Sequence, residues 1–369
     1  MMKKVALHGS YYGDNFGDTL FVTEYINWLK EIFDYDKDNV HLPFAGKRVR
    51  DLVKISDRKG ISSIYESDII VFIGGGYLGE PSKKINKWSI RLIIRHLSVG
   101  LVALALKKPY IFIGVGAGPL SNGIARRLTT FLCNRSNKVV VRDQESRDYL
   151  VSYGVDMEKI DVTADSVLCL KPEDVNTETK NELLEMYEIG DKECQYIGVH
   201  LPAVNKNEIK KLRTIINDLK YFCERFKKYK IVVFNDFYKE NYIYLAYLEI
   251  KEVFEQSTVI YVEYKNPNQL IALIDELDIV ITTKLHCGIV ANCLGKYTLS
   301  ISTHNKTLRL YKQLGLLNRN ISFSEYSKGR LIDMLSEYKE DVKFYNNVPD
   351  SVREAALKNK EYLLNYMKK

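Results

Sequence analysis

The sequence lacks paired cysteines, proline-rich linkers and any long apolar run free of charge. Its six cysteines, Cys133, Cys169, Cys194, Cys223, Cys287 and Cys293, are scattered, and none forms a CxxC pair. That spacing excludes a disulfide framework and a zinc site and fits buried thiols in a reducing compartment. With 8 prolines and 21 glycines, fibrous and linker-rich designs are excluded as well. No stretch interleaves aromatic and basic residues in the manner of single-strand binders, so nucleic acid is not an expected partner. The longest apolar segment, WSIRLIIRHLSVGLVALALKK (88–108), is interrupted by Arg91, Arg95 and His96 and is not expected to span a bilayer. The opening MMKKVALHGSYYG has too short an apolar core for a signal peptide and reads as a first strand. The expected location is therefore the cytoplasm.

What is present is a globular composition, 46% hydrophobic and 27% charged, too apolar for a disordered chain. A length of 369 residues exceeds one ordinary core and predicts two domains. The formal charge of +7 is a mild excess. It fits a solvated basic surface, anionic small substrates or an anionic membrane face.

Short apolar runs alternate with helix-period runs along the chain. Strands are expected at 4–9, 68–76, 109–116 and 138–143, with an edge strand at 159–165. After a polar, acidic stretch near 171–181 the pattern restarts, with strands at 195–201, 230–236, 258–263, 278–283 and 296–302. Amphipathic helices are expected at 19–33, 122–135, 205–228, 239–255, 267–276 and 304–314. Continuous apolar strands separated by helices mean parallel sheets covered on both faces. The fold class is thus α/β, with two doubly wound Rossmann-like domains facing a cleft. The expected division is 1–175, 176–345 and a C-terminal helix in 346–369 that packs back on the first domain. In such sheets ligands bind at the carboxyl ends of the strands, so the loops there carry the functional reading.

In HGSYYGDNFGDTLF (8–21), Gly9, Gly13 and Gly17 permit a tight turn, and Asp18 is expected to cap a helix beginning near Thr19. Asp14 and Asn15 suit turn chemistry. The spacing is not GxGxxG, so a dinucleotide site is disfavoured. FIGGGYLGEP (72–81) places three glycines after a buried strand, which suits either close backbone approach to a ligand or a tight connection. GVGAGPLSN (114–122) opens another loop, with Ser121 or Asn122 as cap. Arg142, at the end of VVVRD, can hold phosphate or carboxylate with two parallel hydrogen bonds, or pair with Asp143. Lys284 and His286 sit where a strand gives way to a helix at 285–295. Helix N-termini favour anions, and an ammonium and an imidazole added there make a cationic pocket. The helix end lowers the imidazole pKa, and a bound dianion raises it again. Lys306 lies in the first turn of the last of these helices, where a cation is unfavourable unless an anion compensates it. His304 and Asn305 can be caps or ligands.

Taken in order, GSYYGDNFGD, GGGYLGE, GVGAGPL, RDQES, TADSV, KLHCGIVANCLG and the downstream Lys306 resemble the motifs of the polysaccharide pyruvyl transferases over residues 3–316. The resemblance implies a fold like the two-domain GT-B glycosyltransferases. It implies transfer of pyruvate from phosphoenolpyruvate to sugar hydroxyls as a ketal, with no other cofactor and no metal. It implies a donor site of Arg142, Lys284, His286 and Lys306, with His286 as the acid. Asn15, Asp18, Gly75, Gly76 and Tyr77 would shape the acceptor side, for a lipid-linked or polymeric glycan. Two positions depart from the family pattern: Lys284, where arginine is usual, and His200, where relatives often carry arginine. Lysine keeps the charge and loses the bidentate fork.

Two rival readings are a nucleotide-sugar glycosyltransferase on the same architecture and a non-catalytic homologue. For the first, Glu263 in EYKNPNQL is a poor ribose ligand. The segment 83–108, with Lys83, Lys84, Lys87, Trp88, Arg91 and Arg95, is expected to be a core helix over the first sheet. Its second reading is peripheral contact with the inner face of the cell membrane.

Overall fold

The computed structural model describes residues 3–12, 15–33, 35, 38–55, 60–81, 84–201, 208–238 and 243–368. Gly13, Asp14, Lys83 and the expected helix starts at 205–207 and 239–242 lie outside them. The chain divides into two compact units, Met1–Cys169 with Asp350–Lys369, and Leu170–Pro349.

The first unit holds strands β1 (Val5–His8), β2 (Val40–His41), β3 (Ile69–Phe72), β4 (Gly75–Leu78), β5 (Tyr110–Ala117), β6 (Val139–Val141) and β7 (Ile160–Val162). Their order is β2-β1-β3-β5-β6-β7, with β4 also paired to β5, and the ladders are parallel. Strands β1, β3, β5 and β6 are buried along their whole lengths, which is why they read as unbroken apolar runs. The expected strand 68–76 is two strands. Gly75, at φ +131°, breaks the run, and the second piece joins β5 alone.

Capping differs from expectation in the first loop. The helix Phe16–Phe33 begins earlier than predicted, and Asn15, not Asp18, is its cap: Asn15 Oδ1 accepts from the Asp18 N–H at 2.9 Å. Asp18 returns the contact through its carboxylate, which accepts from the Asn15 amide. Asn122 and Asp143 cap the helices Gly123–Arg135 and Gln144–Ser152.

The segment Ile85–Ala105 is helical throughout, with a π-helical stretch at Leu92–Leu97 between two α-helical pieces. It is long and apolar enough to cross a membrane by length and composition. Here it lies on the first sheet, where Leu92, Leu97, Val99 and Ala103 join Phe72, Phe112 and Val141 in one core cluster. The C-terminal helix Asp350–Lys368 belongs to this unit. Its buried Asn359 donates to the Ala164 carbonyl at 2.8 Å and accepts from the Thr163 hydroxyl at 2.8 Å.

The second unit holds β8 (Gln195–His200), β9 (Tyr229–Phe234), β10 (Val259–Val262), β11 (Ile279–Thr282), β12 (Tyr297–Ser302) and β13 (Asn320–Ser322), in the order β10-β9-β8-β11-β12-β13, again parallel. The strand order reverses between β8 and β11, which are themselves parallel neighbours. The polar stretch expected at the join contains a helix, Thr177–Tyr187, capped by Asn176.

Candidate functional site

The carboxyl edge of the second sheet gathers polar residues from four strands. His200, Thr282 and Ser300 stand level in the ladder. His200 is fully buried. Its Nδ1 lies 3.2 Å from the Thr283 hydroxyl and its Nε2 lies 3.2 Å from Asp236 Oδ1. The other carboxylate oxygen of Asp236 is 3.3 Å from Lys284 Nζ. Burial opposes ionisation of Asp236, but the hydrogen bond from His200 and the charges of His200 and Lys284 outweigh it and hold the carboxyl below its ordinary range. Asp236 therefore fixes both His200 and the base of the Lys284 ammonium.

Two helices start at this edge. Lys284 occupies the N-cap position of Leu285–Cys293, and His304 that of Asn305–Gln313; neither side chain caps its own helix. The amide of Lys284 donates to the Thr282 hydroxyl at 3.0 Å, which fixes the turn. His286 is half-buried in the first turn of its helix. Lys306 is exposed in the first turn of the next, which carries no acidic residue. His304 lies at the surface, yet partial withdrawal from water, with the charges of Lys306 and Lys284, lowers its pKa. Lys284, His304 and Lys306 thus share one electrostatic neighbourhood beside two positive helix ends, and Asp236 opposes them. Such an arrangement favours a small multiply charged anion. Cys287 and Cys293 are buried, and burial pushes the Cys287 thiol up, so both belong to packing.

The first unit places its polar residues at the same edge of its own sheet. Arg142, immediately after β6, is buried, and its Nη1 donates to Asp165 Oδ2 at 2.8 Å; Asp143 Oδ2 is farther, 3.9 Å from Nε. The guanidinium lies against Gly116, where a Cβ would fall 2.8 Å from Nε. Glycine there is required by Arg142. Asp165 also accepts from the Val167 N–H, so the TADSV segment orients the arginine.

The other glycines of these loops also serve close packing. A Cβ on Gly74 would meet the Phe21 ring at 2.4 Å, and one on Gly79 would meet the Gly118 backbone at 2.7 Å. The Glu80 carboxylate accepts from the Ser121 N–H at 2.8 Å, locking the two loops together. Gly76 is half-exposed beside them. Tyr77 is buried, its ring stacked on His96 at 4.4 Å and its hydroxyl donating to the Ile73 carbonyl. Its side chain is taken up by packing within the first unit. Asn15 and Asp18 engage each other at the helix start.

Sequence reasoning missed Asp236 and Asp165 as partners of the cationic residues. The signal for both was an acid just past the end of a strand, in VVFND and VTAD.

Two Rossmann-like parallel-sheet units define a GT-B-like α/β protein. Solved structures agree on the fold. UDP-GlcNAc 2-epimerase from Neisseria meningitidis, bound to UDP-GlcNAc, matches with a TM-score of 0.64 at 15% identity, over 99% of this chain and 100% of that one. The Methanocaldococcus jannaschii enzyme of the same name gives 0.63 at 13%, over 99% and 100%. Anabaena HepE in complex with UDP-glucose gives 0.59 at 11%, over 99% and 98%. No curated protein sequence matches the chain at a significant level. The polysaccharide pyruvyl transferase family profile matches residues 15–305. The chain belongs to the polysaccharide pyruvyl transferase family.

Proposed function

We propose that the protein transfers the pyruvyl group of phosphoenolpyruvate, as a ketal, to two hydroxyls of a sugar in a lipid-linked or polymeric glycan. The observation that supports this most is the cationic edge of the second unit, where Lys284 and Lys306 join two helix N-termini within a family whose transferred group is pyruvyl.

In the proposed reaction His286 protonates the methylene carbon of the donor. Positive character develops at the adjacent carbon, and a sugar hydroxyl bonds to it and loses its proton. The carbon–oxygen bond to phosphate breaks, and phosphate leaves with the electron pair. A second hydroxyl closes the ring and releases the second proton. Lys284, held by Asp236, and Lys306 neutralise the donor, and Arg142, held by Asp165, is a separate anion-binding group in the first unit. Oriented charges act where charge develops, which is the usual source of such rate enhancement. The reaction needs no redox cofactor.

Phosphate release from phosphoenolpyruvate across galactosyl, mannosyl and glucosyl lipid acceptors tests the reading. Release that depends on the acceptor is expected, with turnover of His286→Ala at least ~100-fold lower and its fold retained. Wild-type turnover in that variant removes His286 from the role. Thermal stabilisation by a uridine nucleotide but not by phosphoenolpyruvate would favour the nucleotide-sugar transferase instead.

A further inference from the structure

Between Glu80 and Asp143 the sequence contains twelve lysines and arginines and no aspartate or glutamate. This stretch builds neighbouring helices over one face of the first sheet. Helices Gly60–Glu66, Ile85–Ala105 and Gly123–Arg135 meet in one buried cluster that includes Ile64, Leu97, Ala103 and Leu132. Gly100 brings the second helix against the third, since a Cβ there would touch the Leu132 side chain at 2.9 Å. The outward side of this layer mixes apolar and basic side chains. Ile90 is 58% exposed and Ile94 65%. They lie one turn apart on one helix, and Leu101 on the same segment and Ile61, Tyr65 and Ile124 on its neighbouring helices are exposed as well. Lys84, Lys87 and Arg91 are exposed beside Ile90 and Ile94, as are Arg126 and Arg127 beside Ile124. The one acid on these three helices is Glu66.

Isolated exposed apolar residues need no explanation, but a patch of them rimmed by one sign of charge does. A membrane-spanning role does not suit this segment, whose inner side is part of the core. Apolar side chains projecting from a helix that lies flat, within a basic rim, are the features of interfacial binding.

We propose that this helical face docks on an anionic lipid bilayer, with Ile90, Ile94 and Leu101 entering the headgroup–acyl boundary and Lys84, Lys87 and Arg91 meeting acidic headgroups. The inference goes beyond the proposed reaction and does not rest on it. It supplies a means for the protein to work at a surface that carries lipid-linked sugars.

The test is co-sedimentation of the full chain with phosphatidylcholine vesicles and with vesicles containing one part phosphatidylglycerol in three. Binding to the second only, weakened by salt, is expected. Each cation near such a surface adds about fivefold to partitioning, so Lys87→Glu with Arg91→Glu should reduce it at least ~20-fold. Ile90→Ser with Ile94→Ser should reduce it about tenfold, and Leu248→Ser, at an exposed site on the other unit, should leave it unchanged. Trp88 is half-buried at the start of the helix, whereas Trp28 is in the core. A blue shift of tryptophan emission on anionic vesicles, lost in Trp88→Phe while binding persists, places this helix at the lipid. Circular dichroism of each variant identifies any that fails to fold, and for those the Trp88 emission of the wild type decides. No sedimentation at low salt, or equal sedimentation of folded variants and wild type, overturns the proposal. So does a vesicle-free dimer that Ile90→Ser with Ile94→Ser dissociates, which would assign the face to a second copy of the chain.

Discussion

Gly116→Ala is a sharp probe of the first unit because its effect can be worked from distances. A Cβ at this position would sit 2.8 Å from Arg142 Nε and 3.0 Å from Cζ and Nη2. Comfortable contacts begin near ~3.5 Å, so the guanidinium must move outward by roughly 0.7 Å. Its hydrogen bond to Asp165, now 2.8 Å, would stretch to about 3.5 Å and be lost. A buried charge-assisted bond contributes about 1.5–3 kcal/mol. Alanine recovers about 0.4–1 kcal/mol by restricting the unfolded chain, since Gly116 does not adopt a positive φ. The net cost is about 1–2 kcal/mol, a fall in Tm of about 2–8 °C for a unit of this size. Displacement of an oriented group by such a distance costs on the order of 100-fold in turnover when that group holds the substrate. The assays are thermal unfolding and phosphate release from phosphoenolpyruvate. Gly123→Ala, where no atom lies within 4 Å of the added carbon, is the control: it should be no less stable than the wild type, gaining up to about 1 kcal/mol, with turnover equal to the wild type. If Gly116→Ala also matches it in both assays, the clamp reasoning is wrong. A lower Tm with full turnover would make Arg142 purely structural.

Further outcomes follow from buried polar groups. His8 and His96 are buried with ring nitrogens 3.1 Å apart. Burial, with the neighbouring charge of Arg95, lowers His96 to about 3, and burial with His96 lowers His8. The unfolded chain therefore takes up protons first, and stability present above the unfolded histidine pKa is lost as pH falls below it. Between pH 7 and pH 5 His96 should account for about 2 kcal/mol of lost stability. Urea unfolding at the two pH values should show this, and an unchanged pH difference in folded His96→Gln would refute it. Asn359→Ala should cost about 2–3 kcal/mol by leaving the Ala164 carbonyl and Thr163 hydroxyl without their partner. Denaturant unfolding within a few tenths of a kcal/mol of wild type would show that this helix is not anchored there.

The sheets were legible because their central strands are buried on both sides, as in Ile69–Phe72 and Ile279–Thr282. The two-residue strand Val40–His41 and the short Asn320–Ser322 carry too few residues for any period to show. The glycine triplet left close approach to a ligand and a tight connection both open, whereas Gly74 answers to Phe21 and, beyond the triplet, Gly79 to Gly118; such close approaches join distant segments and leave no local pattern. The helix N-termini at Lys284 and Lys306 were visible from the change of period beside a cation. Their fixing partner Asp236 was not, because His200, Asp236 and Lys284 lie at or just past the ends of three separate strands. The choice of Asn15 over Asp18 as cap turned on one backbone geometry that both residues suit by type.

Calorimetric titration with phosphoenolpyruvate tests the cationic edge of the second unit most directly, since it requires no acceptor. The wild type should bind, and Lys284→Ala and Lys306→Ala should each weaken binding by about tenfold or more, the loss expected for one charge-assisted contact. Absence of binding by the wild type, or equal binding by both folded variants, would contradict the assignment of this edge to the donor.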